Sequence, residues 1–196
     1  ALALASGGPV ALGVTLFPGV IAVAYSLPIL PFSTVDRLKD VFLVNTAVVS
    51  LAWAVPVAFV PLAVVATGHA HLVGATVAAA WFFLRSAVSV EVHNVRDVTG
   101  DEVAGVDTLP TTIGVTLTQR VLHAADALSL ALVAGAAALG YVPAWAPVAL
   151  APALVFSAWV THSLTVDGRD VERLCTLRDG EGFVMAAGAF LLLDAG

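Results

Sequence analysis

An all-α, polytopic transmembrane bundle is the fold this sequence predicts, and three observations predict it. Of 196 residues, 60% are hydrophobic and 11% charged, against about 25% charged in an average soluble domain. The apolar residues gather into six segments, and five of these reach the ~20 residues a membrane crossing needs. The connections alternate in character: those after segments one, three and five are polar, and the other two are short turns without lysine or arginine.

Taken in order, Ala1–Ala5 reads as the tail of something earlier, and Gly8–Leu30 as the first span, closed by Pro28 and Pro31. The polar turn Ser33–Asp40 follows, with Ser33 or Thr34 placed to cap the next helix and Asp36 in its first turn. Val41–Ala66 is the second span, and Pro56 and Pro61 within it predict kinks. Thr67–His71 reads as a turn. His69 and His71 lie two apart there, but no third metal ligand stands nearby. Leu72–Val92 is the third span and carries Arg85 and Glu91, ionisable groups at membrane depth. The fourth span, capped by Thr116 or Thr118, runs to about Leu139 and contains Asp126, which reads either as neutral or paired with His123 or Arg120, or as part of an acceptor site. Tyr141 and Trp145 suit the membrane interface. Trp145–Leu164 is the fifth span. The polar loop Asp167–Glu181 leads to a short sixth segment, Gly182–Leu193.

The polar connections share one side of the membrane, and every basic residue except Arg85 lies in them or at their edges. The positive-inside rule makes that side cytoplasmic, in a multi-pass protein of the cell membrane surrounded by lipid. A net charge of −6 gives no basic footprint for nucleic acid. A single cysteine, Cys175, excludes an internal disulfide and a cysteine-based zinc site, and reads as a bystander near the membrane surface.

The most polar stretch is Asn94–Pro110, with four carboxylates (Asp97, Asp101, Glu102, Asp107) in eleven residues. On a helix Asp97 and Asp101, at i and i+4, share a face about 5–6 Å apart and repel each other. A divalent cation beside them reverses that sign. Mg²⁺ is the hard ion that takes one or two carboxylates together with substrate phosphate oxygens. The spacing alone is unspecific, since Asp36 and Asp40 repeat it.

The run Asn94-Val95-Arg96-Asp97-Val98-Thr99-Gly100-Asp101, then Ala104-Gly105, Thr108-Leu109-Pro110 and Ile113-Gly114, resembles the second aspartate-rich motif of the UbiA superfamily of intramembrane prenyltransferases. Tyr25-Ser26 at the end of the first span, followed by Lys39, the one lysine of the chain, is similar to a further pattern of that family. The resemblance implies a bundle of about nine transmembrane helices around a lateral cavity, of which about six spans are present here in a single domain over residues 1–196. It implies Mg²⁺-dependent transfer of a prenyl group from a prenyl diphosphate to a lipophilic acceptor such as a quinone precursor or lipid ether. Asp97 and Asp101 would hold the metal. Lys39, Arg37, Arg96 and Asn94 would bind the diphosphate, and Lys39 and Tyr25 would take part in catalysis, Tyr25 either as a donor to the diphosphate or facing the reacting carbon. The chain departs from the family in lacking its first motif, N-D-x-x-D-x-x-x-D, which would precede Ala1, so the N-terminal helices read as missing. Asp107 is a second departure. Two other readings stand beside the enzyme: a non-catalytic relative that binds isoprenoid or scaffolds a partner, and a transporter with Arg85, Glu91 and Asp126 along an ion path.

Overall fold

The computed structural model describes residues 2–27, 41–65, 69–164 and 170–193. Every regular element among them is helical: α1 (Leu2–Ser26), α2 (Val44–Val65), α3 (His69–Ala104), α4 (Leu109–Ile113), α5 (Val115–Ala138), α6 (Ala146–Ser163), α7 (Val171–Asp179) and α8 (Glu181–Leu193). Five of them, α1, α2, α3, α5 and α6, are long and apolar enough to cross a membrane. The sixth expected span is α8, whose 13 residues fall short of one. Contacts divide the chain into two compact units, Ala1–Ala87 and Val88–Gly196.

In the first unit α1 packs along α2. The backbone of α1 breaks at Gly8 (φ 65°, ψ −160°), one residue before Pro9, whose missing N–H suits the first position of a new helix. Helix α2 buries Thr46, Ser50, Ala54 and Ala58, four apart and therefore on one face. Small side chains let helix backbones approach closely where lipid supplies no hydrophobic drive to associate. The opposite character appears on α1, where Val10, Leu16, Val20 and Val23 point outward, as suits a helix facing acyl chains.

Helix α3 continues twelve residues beyond Val92, where the apolar run ends, and its 36 residues extend about 54 Å. That exceeds the ~30 Å hydrocarbon layer, so its polar end projects out of it. His69–His71, read from the sequence as part of a turn, belongs instead to the first turn of this helix.

In the second unit Val88, Val92 and Val95 of α3 form a core with Leu122, Val160, Leu164, Val171, Leu174 and Cys175. Helix α5 begins at Val115 after Gly114, so neither Thr116 nor Thr118 is its cap. The Thr118 hydroxyl bonds back to the Gly114 carbonyl (3.0 Å) from inside the helix. Two polar links join α5 to α6. The Gln119 side-chain amide donates to the Thr161 and Leu164 carbonyls (3.0 and 2.8 Å), satisfying acceptors that the end of α6 leaves open. The buried Ser157 hydroxyl donates to Asp126, 2.9 and 3.1 Å from its two oxygens. Asp126 is thus held by a side chain of the neighbouring helix. Helix α8 lies so close to α6 that a Cβ added at Gly188 would run into the Ala149 carbonyl. Only glycine leaves room for that approach.

Cys175 lies inside this core, 2% exposed, with its thiol directed at the Val92 carbonyl (3.8 Å). Burial pushes the thiol above the usual range; Arg96 opposes this and the carboxylates of Asp97, Asp179 and Glu172 add to it. In native protein iodoacetamide is therefore expected to react with Cys175 far more slowly than in denatured protein, and the contrast grows as pH rises past about 8.5, the ordinary thiol value. Because the folded thiol keeps its proton where the unfolded one loses it, its contribution to stability is lost as pH rises through that window. Equal alkylation rates in the two states would contradict the burial.

Candidate functional site

The acidic motif is the last part of α3. Gly105 ends the helix with a positive φ of 67°. The Val106 N–H returns to the Asp101 carbonyl (2.9 Å) and the Gly105 N–H reaches the Glu102 carbonyl (3.3 Å), the paired bonds of a Schellman cap. After Val106 and Asp107 the chain re-enters helix at α4. The Thr108 N–H donates to the Thr111 hydroxyl (2.8 Å), and Pro110 sits in the first turn, where its missing N–H costs nothing. The Thr-Leu-Pro run thus opens a one-turn helix, and the next long helix starts only after the positive-φ Gly114.

This geometry puts Asp97 and Asp101 one turn apart on a continuous helix, with Asp101 and Glu102 in its final turn and no basic residue there. The C-terminal end of a helix carries partial negative charge, so carboxylates are unfavourable in it by about 0.3–1 kcal/mol each, besides repelling one another. A cation at this end reverses both effects.

One cation is already engaged. Arg96 forks onto its neighbour Asp97, Nε to Oδ1 at 2.7 Å and Nη2 to Oδ2 at 2.8 Å. Both side chains are substantially exposed, at 34% and 49%, which holds the worth of the pair to about 1 kcal/mol or less. Arg96, expected as a diphosphate ligand, here partners an expected metal ligand. Asn94 donates from Nδ2 to Glu91 at 3.0 Å, so its amide is tied back into the helix. Among the described residues no group of three or more His, Cys, Asp and Glu side chains forms a metal cluster. The donor chemistry still fits Mg²⁺, which needs one or two carboxylates when a phosphate substrate supplies further oxygens.

Helix α7 covers one side of this region. Its Asp179 lies 3.6 Å from His93 Nε2, and the other ring nitrogen of His93 donates to the Ser89 carbonyl (2.8 Å). His93 and Asp179 carried no motif in the sequence. A helical face count from Asp97 would have found His93 at i−4, but nothing local indicates its partner on α7.

In the first unit Tyr25 ends α1, and its hydroxyl donates to Asn45 Oδ1 in the first turn of α2 (2.7 Å). Arg37 and Lys39 lie outside the described residues. So do Asp36 and Asp40.

The model of the UbiA prenyltransferase family matches residues 1–177. No curated protein and no solved structure matches the chain.

Proposed function

Because the chain belongs to the UbiA prenyltransferase family, we propose that it transfers a prenyl group within the membrane from a prenyl diphosphate to a lipophilic acceptor, with Mg²⁺ on Asp97 and Asp101. In such a reaction the allylic C–O bond breaks, its electron pair leaves with diphosphate, and a nucleophilic atom of the acceptor bonds to the freed carbon and loses a proton. The observation that carries the reading is the ending of α3: Asp101 in a final turn without a basic residue, and Asp97 one turn before it on the same face. Carboxylates so placed hold a hard cation better than they tolerate each other. Bound there, Mg²⁺ would supply positive charge where the leaving diphosphate gains negative charge.

The remaining roles follow from side-chain chemistry. Lys39 would pair with phosphate oxygens as a compact charge, and Arg37 would assist it. Arg96 can exchange the Asp97 carboxylate for a phosphate, because its fork matches either anion. Asn94 would steady the helical face that carries the acids. Apolar helices around the prenyl chain would keep water from an allylic cation. The polar connections, and so the site, would face the cytoplasm, where diphosphates are available.

Membranes containing the protein should convert radiolabelled geranylgeranyl diphosphate and a suitable acceptor to product with Mg²⁺ and not with a chelator. Lys39→Met should raise the KM for prenyl diphosphate about tenfold or more, the loss of one charge-assisted hydrogen bond, and leave the KM for the acceptor unchanged. An equal rise in both would remove Lys39 from the diphosphate site. Tight binding of prenyl diphosphate without turnover, across a panel of quinone precursors and lipid ethers, would favour the non-catalytic isoprenoid binder instead.

A further inference from the structure

His93 stands on the acidic face of α3 without belonging to the acidic motif. It precedes Asp97 by one turn and Asp101 by two, so the three share one side of a continuous helix at intervals of about 6 Å. Val92, the last residue of the apolar run, comes immediately before it. On this face His93 is therefore the titratable group one turn nearer the bilayer, and the carboxylates lie beyond it toward water. Two partners fix its ring. Nδ1 lies 2.8 Å from the Ser89 carbonyl, which can only accept, so Nδ1 carries a proton and the neutral ring has its lone pair on Nε2. Nε2 faces Asp179 of α7 at 3.6 Å, longer than a hydrogen bond, and an ionised carboxylate has no proton to give that lone pair. The Cys175 thiol on the Val92 carbonyl (3.8 Å) is a second contact of α7 at this level, so Asp179 and Cys175, one turn apart, meet adjacent residues of α3.

We infer that His93 is the general base of the transfer: Nε2 takes the proton that the acceptor loses. This rests on the prenyl-transfer reading above and supplies the one step that reading leaves without a residue. With diphosphate at Asp97 and Asp101 and the prenyl chain in the apolar layer, the allylic carbon falls between them, at the level of His93. The acceptor's nucleophilic atom bonds to that carbon, the C–O electron pair leaves with diphosphate, and the acceptor's proton passes to Nε2. The imidazolium so formed pairs with Asp179 until water removes the proton. The ring is 28% exposed and Asp179 64%, so the base is sheltered and its partner stands in water. A base so placed selects an acceptor with a removable proton on its nucleophilic atom, a hydroxyl or an aromatic C–H carbon. Asp179 acts through His93 and is a positioning residue.

The test uses the full-length protein in nanodiscs and the variants His93→Gln, His93→Ala and Asp179→Asn, with thermal unfolding beside each. Product is measured with geranylgeranyl diphosphate and the acceptor that wild type prenylates fastest in the panel above. Binding is measured with the unreactive thiolodiphosphate analogue. His93→Gln should lower product formation about 100-fold, the scale of general-base catalysis, with the Kd of the analogue within about twofold. Added imidazole should raise the rate of His93→Ala about tenfold and leave wild type unchanged, since a free base replaces a lost proton acceptor and does not repair a lost packing contact. Asp179→Asn, on an exposed side chain that tolerates change, should lower product about fivefold at unchanged analogue binding. In ¹⁵N-histidine spectra of wild type at about pH 8, the signal missing from His93→Gln should show a protonated Nδ1 and a bare Nε2.

A ring with the proton on Nε2 and none on Nδ1 overturns the base. So does a Kd that weakens as much as turnover falls, or imidazole that restores nothing. If His93→Gln does not fold, Asp179→Asn at the wild-type rate overturns the dyad. A wild type that turns over alongside an equally fast His93→Gln overturns this role only. A wild type that makes no prenylated product overturns prenyl transfer itself and takes the base with it.

Discussion

Asp97→Ala and Asp101→Ala are each expected to lower prenyl transfer by about 10²–10³-fold or more, the scale on which losing one electrostatic stabiliser of a developing anion is felt, while the protein inserts and folds as wild type. The two halves of that expectation have separate grounds. Activity should fall because each carboxylate would be one of few hard oxygen donors to the metal at this end of α3, and a substrate diphosphate would not replace it. Stability is spared because both side chains lie toward the open end of the helix, with Asp97 half exposed. Removing Asp101 takes a negative charge from the helix C-terminus, which by itself favours the helix by a few tenths of a kcal/mol. Alanine is also the best helix former. Asp97→Ala releases Arg96 from its fork, so that variant should bind diphosphate no more weakly without metal than wild type does. Turnover with radiolabelled prenyl diphosphate, beside thermal unfolding in the same detergent, measures both halves. Wild-type turnover in either variant would sink the metal assignment.

The second large effect concerns stability. Arg178 and Glu181, three residues apart across the turn from α7 to α8, form an ion pair at 2.9 Å with side chains 1% and 7% exposed. Arg178 is the largest fully buried side chain among the described residues. A charge in such a place is tolerated because its partner is fixed beside it. Arg178→Met strips Glu181 of that guanidinium and is expected to destabilise by about 3–5 kcal/mol. The double variant Arg178→Met/Glu181→Leu, which removes both charges and keeps apolar bulk, should recover most of the loss, since replacing a buried pair by hydrophobic side chains is often neutral. Denaturant unfolding in mixed micelles reads both. A single variant within about 1 kcal/mol of wild type would show that the pair contributes little. The pair also binds the polar connection to α8, so the single variant should expose Cys175 to alkylation earlier in the transition.

Much of this was legible beforehand because it is local. Runs of apolar residues give the long helices, and α2, α5 and α6 lie within three residues of the segments read from hydropathy. Asp97 and Asp101 share a face only if their stretch is helical, and the structure shows that it is, as the continuation of α3. Boundaries failed where a local signal has two meanings. Threonines at 116 and 118 look like caps, yet a threonine within a helix also satisfies its hydroxyl on the carbonyl four residues back, as Thr118 does. The polar stretch after Val92 looks like the end of a span. A helix, however, has no reason to stop where the bilayer does, and this one stops where Gly105 allows a left-handed residue.

Composition and local spacing thus suffice for the class of the protein, the order of its long apolar helices and the family. All of these depend on composition and on spacings within one or two turns. Only the tertiary structure decided the pairings: Tyr25 with Asn45, Asp126 with Ser157, Gln119 with the end of α6 and Cys175 with the Val92 carbonyl. Each joins residues 20 to 83 apart in the chain. Which of many polar side chains meet depends on how far each helix is rotated about its own axis and shifted along its neighbour. Packing of the whole interface sets that rotation, and no single stretch of sequence encodes it.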